Sequence, residues 1–166
     1  MAEKQIVVFS LGQEEFAIEI SMVREIVRMQ AIRPIPGLDS FIEGIVHLRG
    51  TIIPVVDLGK KFSLESGQIE RDRAKIVMVN QKNKQIGIIV DDVNEILRIS
   101  EDSIDPSPEL IGGSMEQKYI TGVAKEGERL IIILDVDRIF SSEEKDELEE
   151  VVVEEKEQEQ VVNCDN

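Results

Sequence analysis

The chain repeats itself. Residues 16–29, FAIEISMVREIVRM, align without a gap on residues 86–99, IGIIVDDVNEILRI, at a constant offset of 70. Five positions are identical: Ile18/Ile88, Val23/Val93, Glu25/Glu95, Ile26/Ile96 and Arg28/Arg98. Apolar residues also match at Phe16/Ile86, Ile20/Val90, Val27/Leu97 and Met29/Ile99. A second block, GIVHLRGTIIPVVDL at 44–58, faces GVAKEGERLIIILDV at 122–136 at offset 78, with Gly44 on Gly122 and Asp57 on Asp135. The chain therefore reads as one supersecondary unit used twice.

That unit reads as strands. Ile6 to Leu11 is rich in β-branched and aromatic residues, Gly12 to Glu15 make a polar turn, and Phe16, Ile18 and Ile20 alternate with Ala17 and Glu19. The second copy repeats this with Ile76 to Val79, a turn at Asn80 to Lys84, and Gln85 to Val90, so each copy predicts an antiparallel hairpin. Val23 to Met29 and Val93 to Ile99 also fit a helical turn, but β-branching and short spacing favour strands. Pro34, Pro36 and Gly37 break the chain in one half, as do Pro106, Pro108, Gly112 and Gly113 in the other, and each half closes on a long apolar strand, Thr51 to Leu58 or Arg129 to Val136. Short strands at regular intervals without a long amphipathic helix predict an all-β chain of two small barrels. The expected partition places the first barrel at roughly 13–75 and the second at 76–140, with the N-terminal strand crossing between them. Barrels of that size hold little core of their own, so they are expected to share an apolar seam.

The formal charge of −15 is unevenly spread: residues 141–166 hold 11 acids and two bases, a net −9, which leaves −6 for the rest. So acidic a tail predicts a helix starting near Ser141 that frays into disorder, either a solubiliser or an arm for a basic partner. Truncation after Phe140 is then expected to leave function largely intact. Overall acidity argues against nucleic acid and anionic membranes as ligands. Lone Cys164 closes no internal disulfide, and no Cys/His cluster spells a zinc site. Met1 to Phe9 lacks the pattern of a signal peptide, and no apolar run reaches the roughly 18 residues of a spanning helix. A soluble, cytoplasmic protein without membrane insertion is expected.

Enzyme chemistry finds little support. Neither a G-x-x-x-x-G-K-[ST] loop nor a G-x-G-x-x-G after a strand occurs, and His47 is the single histidine, with no nucleophile elbow near it. The acidic pairs Asp91/Asp92 and Asp135/Asp137 could in principle serve a metal-dependent phosphatase, the remote enzymatic alternative. Adjacent carboxylates on a strand point to opposite sides, which favours plain strand-end and turn acids. No cofactor is expected. The apolar residues of VREIV and VNEI exceed what one strand face buries, so Ile20, Val23, Ile26 and Val93 are either core or the lining of an exposed groove for an apolar helix or a partner barrel.

Residues 42–58, IEGIVHLRGTIIPVVDL, resemble the signature of the CheW-like domain family, a Gly, two aliphatics, usually Asn, then L-R-G and an I-I-P-V-V-D-L strand. The similarity runs from about Ile6 to Phe140 and includes the FAIEISMVREIV hairpin, the P-x-P-G turn at Pro34 to Gly37 and IGIIVDDVNEILRI; His47 departs from the family's usual Asn. The resemblance implies two five-stranded SH3-like barrels around a common core. It implies a non-catalytic adaptor that joins the cytoplasmic tips of methyl-accepting chemotaxis receptors to the regulatory domain of the histidine autokinase CheA in arrays, where copies of the adaptor can also touch. A paralogue serving a non-motility sensory array is the alternative within the family. The family's receptor-binding groove falls on Val7, Ile20, Val23, Ile26 and Val93. Arg49 of L-R-G occupies a position important for signalling, where its guanidinium could bridge a partner carboxylate or clamp its own barrel. Gly50 permits a tight turn, and Gly44 matters as a backbone position.

Overall fold

A computed structural model of the chain describes residues 3–37, 41–62, 73–81, 84–106, 119–140 and 144–152. The strands are β1 (Glu3–Leu11), β2 (Glu14–Glu19), β3 (Val23–Arg28), β4 (Ile42–Leu48), β5 (Thr51–Asp57), β6 (Lys75–Gln81), β7 (Lys84–Val90), β8 (Asp92–Ser100), β9 (Ile104–Asp105), β10 (Ile120–Glu126) and β11 (Arg129–Leu134). Short helices α1 (Leu58–Lys61) and α2 (Val136–Ile139) follow β5 and β11, and α3 spans 144–152. Pro108, Gly112, Gly113 and the tail from residue 153 lie outside the described residues, as does part of the turn after Asn80.

The two copies of the repeat exchange strands. One sheet has the order β3-β6-β7-β5-β4 and the other β8-β1-β2-β11-β10-β9. In each copy the hairpin lies in one sheet and the third strand crosses to the other: the β1–β2 hairpin takes β8 onto β1, and the β6–β7 hairpin takes β3 onto β6. The first sheet is thus the continuous stretch from β3 to β7, and the second joins β1 and β2 to β8 and everything after it. The sheets part the chain after β2 and after β7, not near residue 75 as the repeat suggests. The third strands of the two copies carry the same apolar pattern, and their crossing ties the two sheets together.

Alternation explains why the central strands are apolar throughout. On β1 and β2, Phe9, Leu11, Phe16 and Ile18 enter the shared core, whereas Ile6, Val8 and Ala17 enter the core of the second sheet alone. On β6 and β7, Val77, Val79, Ile86, Ile88 and Val90 face the shared core, and Ile76, Met78 and Ile89 the other side. A strand buried on both faces has no polar side to show. Gln81 is buried, and its Nε2 donates across the seam to the Val136 carbonyl at 3.1 Å.

The residues matched at offset 78 do matched work. β4 and β10 each carry a bulge, between Ile42 and Gly44 and between Ile120 and Gly122. At both glycines a neighbouring segment passes close, Arg33 to Pro34 over Gly44 and Ile104 to Asp105 over Gly122. Asp57 and Asp135 cap α1 and α2, accepting from the backbone N–H of Lys60 at 3.3 Å and of Asp137 at 3.0 Å.

On the outer face of the second sheet Arg129 grips Glu15, donating from Nη2 at 2.6 Å and Nε at 3.1 Å, with Glu95 at 3.4 Å and Asn94 donating to Glu15 at 3.4 Å. The Arg129 hydrogen bond, first among the causes, holds the Glu15 carboxyl below its ordinary value of 4.5. A depressed carboxylate adds stability above the unfolded-state value and loses it as pH falls through the folded one. Glu15→Gln is therefore expected to flatten the loss of stability below pH 4.5, read as urea midpoints across an acid series.

Candidate protein-binding groove

The two crossovers lie at the seam, and the strands they deliver form its edges. From β2 the chain passes through the 3-10 turn Ile20–Met22 into β3, and from β7 through Asp91 into β8. Val23 and Val93, near the start of these strands, are half-buried and pack against the shared core. Each strand then carries a bulge that leaves one extra residue, Arg24 or Asn94, before pairing resumes. Beyond it Ile26 lies opposite Val77 and Ile96 opposite Val7, both on the seam side, and Arg28 follows opposite Lys75 as Arg98 follows opposite Gln5.

The predicted groove residues therefore fall into three situations. Ile26 is 36% exposed, and Ile20, Val23 and Val93 are half-buried around the seam. Val7 differs: at 1% exposure, between Ile18 and Ile96, it offers no surface and is packing beneath the groove. Ile96, 54% exposed and absent from the predicted set, is its cross-strand neighbour on β8. Its signal was in the repeat, where Ile26 and Ile96 are identical; two matching strands on two equivalent edges should both contribute.

Arg49 and Gly50 turn the β4–β5 hairpin with φ of 51° and 78°, the mirror-image turn that suits a two-residue loop. The Arg49 guanidinium pairs with Glu25 on β3, so the hairpin tip is fastened to the strand that carries Val23 and Ile26. With the arginine side chain 69% exposed, such a pair adds no more than about 1 kcal/mol. Its geometry favours orientation of the groove strand over stability. His47 sits nearby on β4 and is exposed.

One carboxylate of each acidic pair is held by the backbone. Asp91 Oδ2 accepts from the Gly12 N–H at 2.7 Å, holding the β1–β2 turn at the crossover, and Asp135 caps α2. Among the described residues no three His, Cys, Asp or Glu side chains gather where they could hold a metal ion. No helix among them is long and apolar enough to cross a membrane.

The tail begins as a packed element. Leu148 is 3% exposed within the shared core, and Val151, at 1%, packs with Ile45 and Ile52 of β4 and β5. Glu144 meets Lys61 at 2.5 Å, and the lysine, only 7% exposed, lies 4.6 Å from the Phe41 ring centroid, 5.5 Å from Phe140 and 5.6 Å from Tyr119.

Comparison with known proteins agrees with this architecture. The CheW-like domain profile matches residues 5–144. A chemotaxis protein CheW of Treponema pallidum is 36% identical over 147 residues, covering 87% of this chain and 86% of the relative. That of Klebsiella aerogenes is 33% identical over 141 residues, covering 85% and 84%. The crystal structure of the scaffolding protein TtCheW from Thermoanaerobacter tengcongensis superposes with a TM-score of 0.78 at 37% identity, over 85% of this chain and 90% of that one. The chain thus has the all-β fold of two SH3-like subdomains expected from its sequence.

Proposed function

The chain belongs to the CheW-like domain family, and from that premise we propose that it is a non-catalytic chemotaxis adaptor that couples methyl-accepting receptors to the histidine autokinase CheA in the cytoplasm. The observation that supports the receptor half of this reading is the apolar side chains left open on the two edge strands, Ile26 on β3 at 36% and Ile96 on β8 at 54% exposure. A groove between two rigid subdomains accepts an amphipathic helix, the form of a receptor's cytoplasmic tip. The kinase is engaged elsewhere, by pairing with its own regulatory domain of like fold, and contacts between adaptor copies extend the array. No cofactor enters the scheme. Coupling works as a population shift, so the adaptor changes kinase activity only through contacts that differ between kinase states.

Reconstitution with receptor-bearing membranes and the kinase tests this. Autophosphorylation is expected to rise on adding the protein. Ile26→Asp is expected to abolish the rise without moving the melting temperature, because a partner helix would have to bury an unpaired carboxylate. Full stimulation by a folded Ile26→Asp variant would remove the groove from the mechanism.

A further inference from the structure

We infer that the acidic tail, residues 153–166, folds back on a basic strip of its own chain formed by Arg24, Arg28 and Arg33. Residues 20–36 hold these three arginines and one acid, Glu25, a net +2 in an otherwise acidic protein. Glu25 is itself engaged by Arg49. All three arginines are exposed, and Arg24 and Arg28 have no ion-pair partner among the described residues. The tail carries Glu154, Glu155, Glu157, Glu159 and Asp165 against Lys156, a net −4. The basic partner that so acidic an arm calls for is thus supplied by the same chain.

The point where the tail departs makes the assignment specific. α3 ends with Val151 packed on Ile45 and Ile52, and Val152 meets Ile35 at the same cluster. Arg33, two residues before Ile35, exchanges backbone hydrogen bonds with Ile45 at 2.9 and 3.0 Å. The tail therefore begins beside the segment that carries Arg33. From the same hairpin, the β4–β5 tip reaches β3 through Arg49 and Glu25; Arg24 is the bulged residue next to Glu25, and Arg28 ends the strand. The 14 residues of the tail extend to at most roughly 50 Å and the six residues of β3 to about 20 Å, so every arginine of the strip is within reach. Single exposed ion pairs are weak, but the tether holds the tail at an effective concentration on the order of millimolar, and several pairs act together. Any partner of β3 must then displace the tail.

The full-length chain carries its own probe position, because Cys164 is its single cysteine and belongs to the tail. A nitroxide on Cys164 broadens the NMR signals of backbone amides near it, with the reduced label as reference. At about 0.01 M salt the expected result is loss of amide signal along residues 24–33, while β8 around Arg98, another arginine 66% exposed, keeps its signal. The loss is expected to vanish at about 1 M salt, where charges are screened within a few ångströms. It should vanish equally in two full-length variants, Arg24→Gln/Arg28→Gln and Glu154→Gln/Glu155→Gln/Glu157→Gln/Glu159→Gln, whose amide spectra verify folding. Broadening that is absent from 24–33, spread evenly over 24–33 and β8, or unmoved by salt and by both variants overturns the inference. Mixing isotope-labelled chain lacking the nitroxide with nitroxide-bearing chain lacking the isotope separates the occupants. Broadening at 24–33 in that mixture as strong as within one chain assigns the strip to a second copy's tail and overturns the fold-back. No receptor or kinase enters these measurements, so their outcome is independent of the proposed coupling role.

Discussion

A chain ended after Phe140 is expected to lose most of its stability margin, and Leu148→Ala alone to lower unfolding free energy by about 2–5 kcal/mol. Leu148 lies within the core shared by the two sheets, 3% exposed, so its removal leaves a cavity where neither sheet can close in independently. Truncation adds the loss of Val151, which covers Ile45 and Ile52, and of Glu144, the carboxylate beside Lys61. The lysine, only 7% exposed with α3 in place, would then lose its ion-pair partner and keep only the faces of Phe41, Tyr119 and Phe140. Urea unfolding of the full chain, Leu148→Ala and the truncated chain checks this. A truncated chain with the full chain's midpoint would return α3 to the role of a solubiliser. Receptor coupling should be compared only at temperatures where both chains are folded, since a fall in coupling otherwise reports unfolding.

That outcome also shows where sequence patterns stop being legible. The strands, their turns and the shared core follow from alternation and from the repeat, and the strand assignment of VREIV and VNEI is met by β3 and β8. Three things were hidden. Strand exchange leaves no local trace, because Val23 to Arg28 carries the same apolar positions whichever hairpin it joins. In α3 the charge density masks a two-residue apolar contact, Leu148 and Val151 spaced three apart on one face, too short a stripe to stand out against so many glutamates. In the groove, Ile96 was readable from its identity with Ile26, while the burial of Val7 was not, since a residue on a strand with neighbours on both sides looks the same in sequence whether or not the groove reaches it.

Gly44→Ala is the second large effect, expected to cost about 3–5 kcal/mol and to act at a distance on the groove. Gly44 has φ of 146°, a conformation that residues with a Cβ rarely adopt, and an added Cβ would lie 2.1 Å from the Arg33 carbonyl oxygen and 3.0 Å from Pro34 Cα. These are backbone atoms held in place by reciprocal hydrogen bonds between Arg33 and Ile45 at 2.9 and 3.0 Å, so relief requires breaking both. Gly127→Ala supplies the control: φ is 62° there, but nothing lies within 4 Å of the added carbon, so only the left-handed penalty of about 1–2 kcal/mol remains. Gly122→Ala should fall between them, because its Cβ would meet the movable Ile104 Cγ2 at 2.6 Å and the Asp105 carbonyl oxygen at 3.0 Å. Urea midpoints in the order Gly44, Gly122, Gly127 from most to least destabilised are the expected outcome, and equal effects at Gly44 and Gly127 would refute the close-approach explanation. Because Gly44 sets the bulge of β4, and the β4–β5 hairpin carries Arg49 to Glu25, relaxation at Gly44 also moves the tip that holds β3. Receptor binding by Gly44→Ala should then fall below that of Gly127→Ala even at a temperature where both are folded.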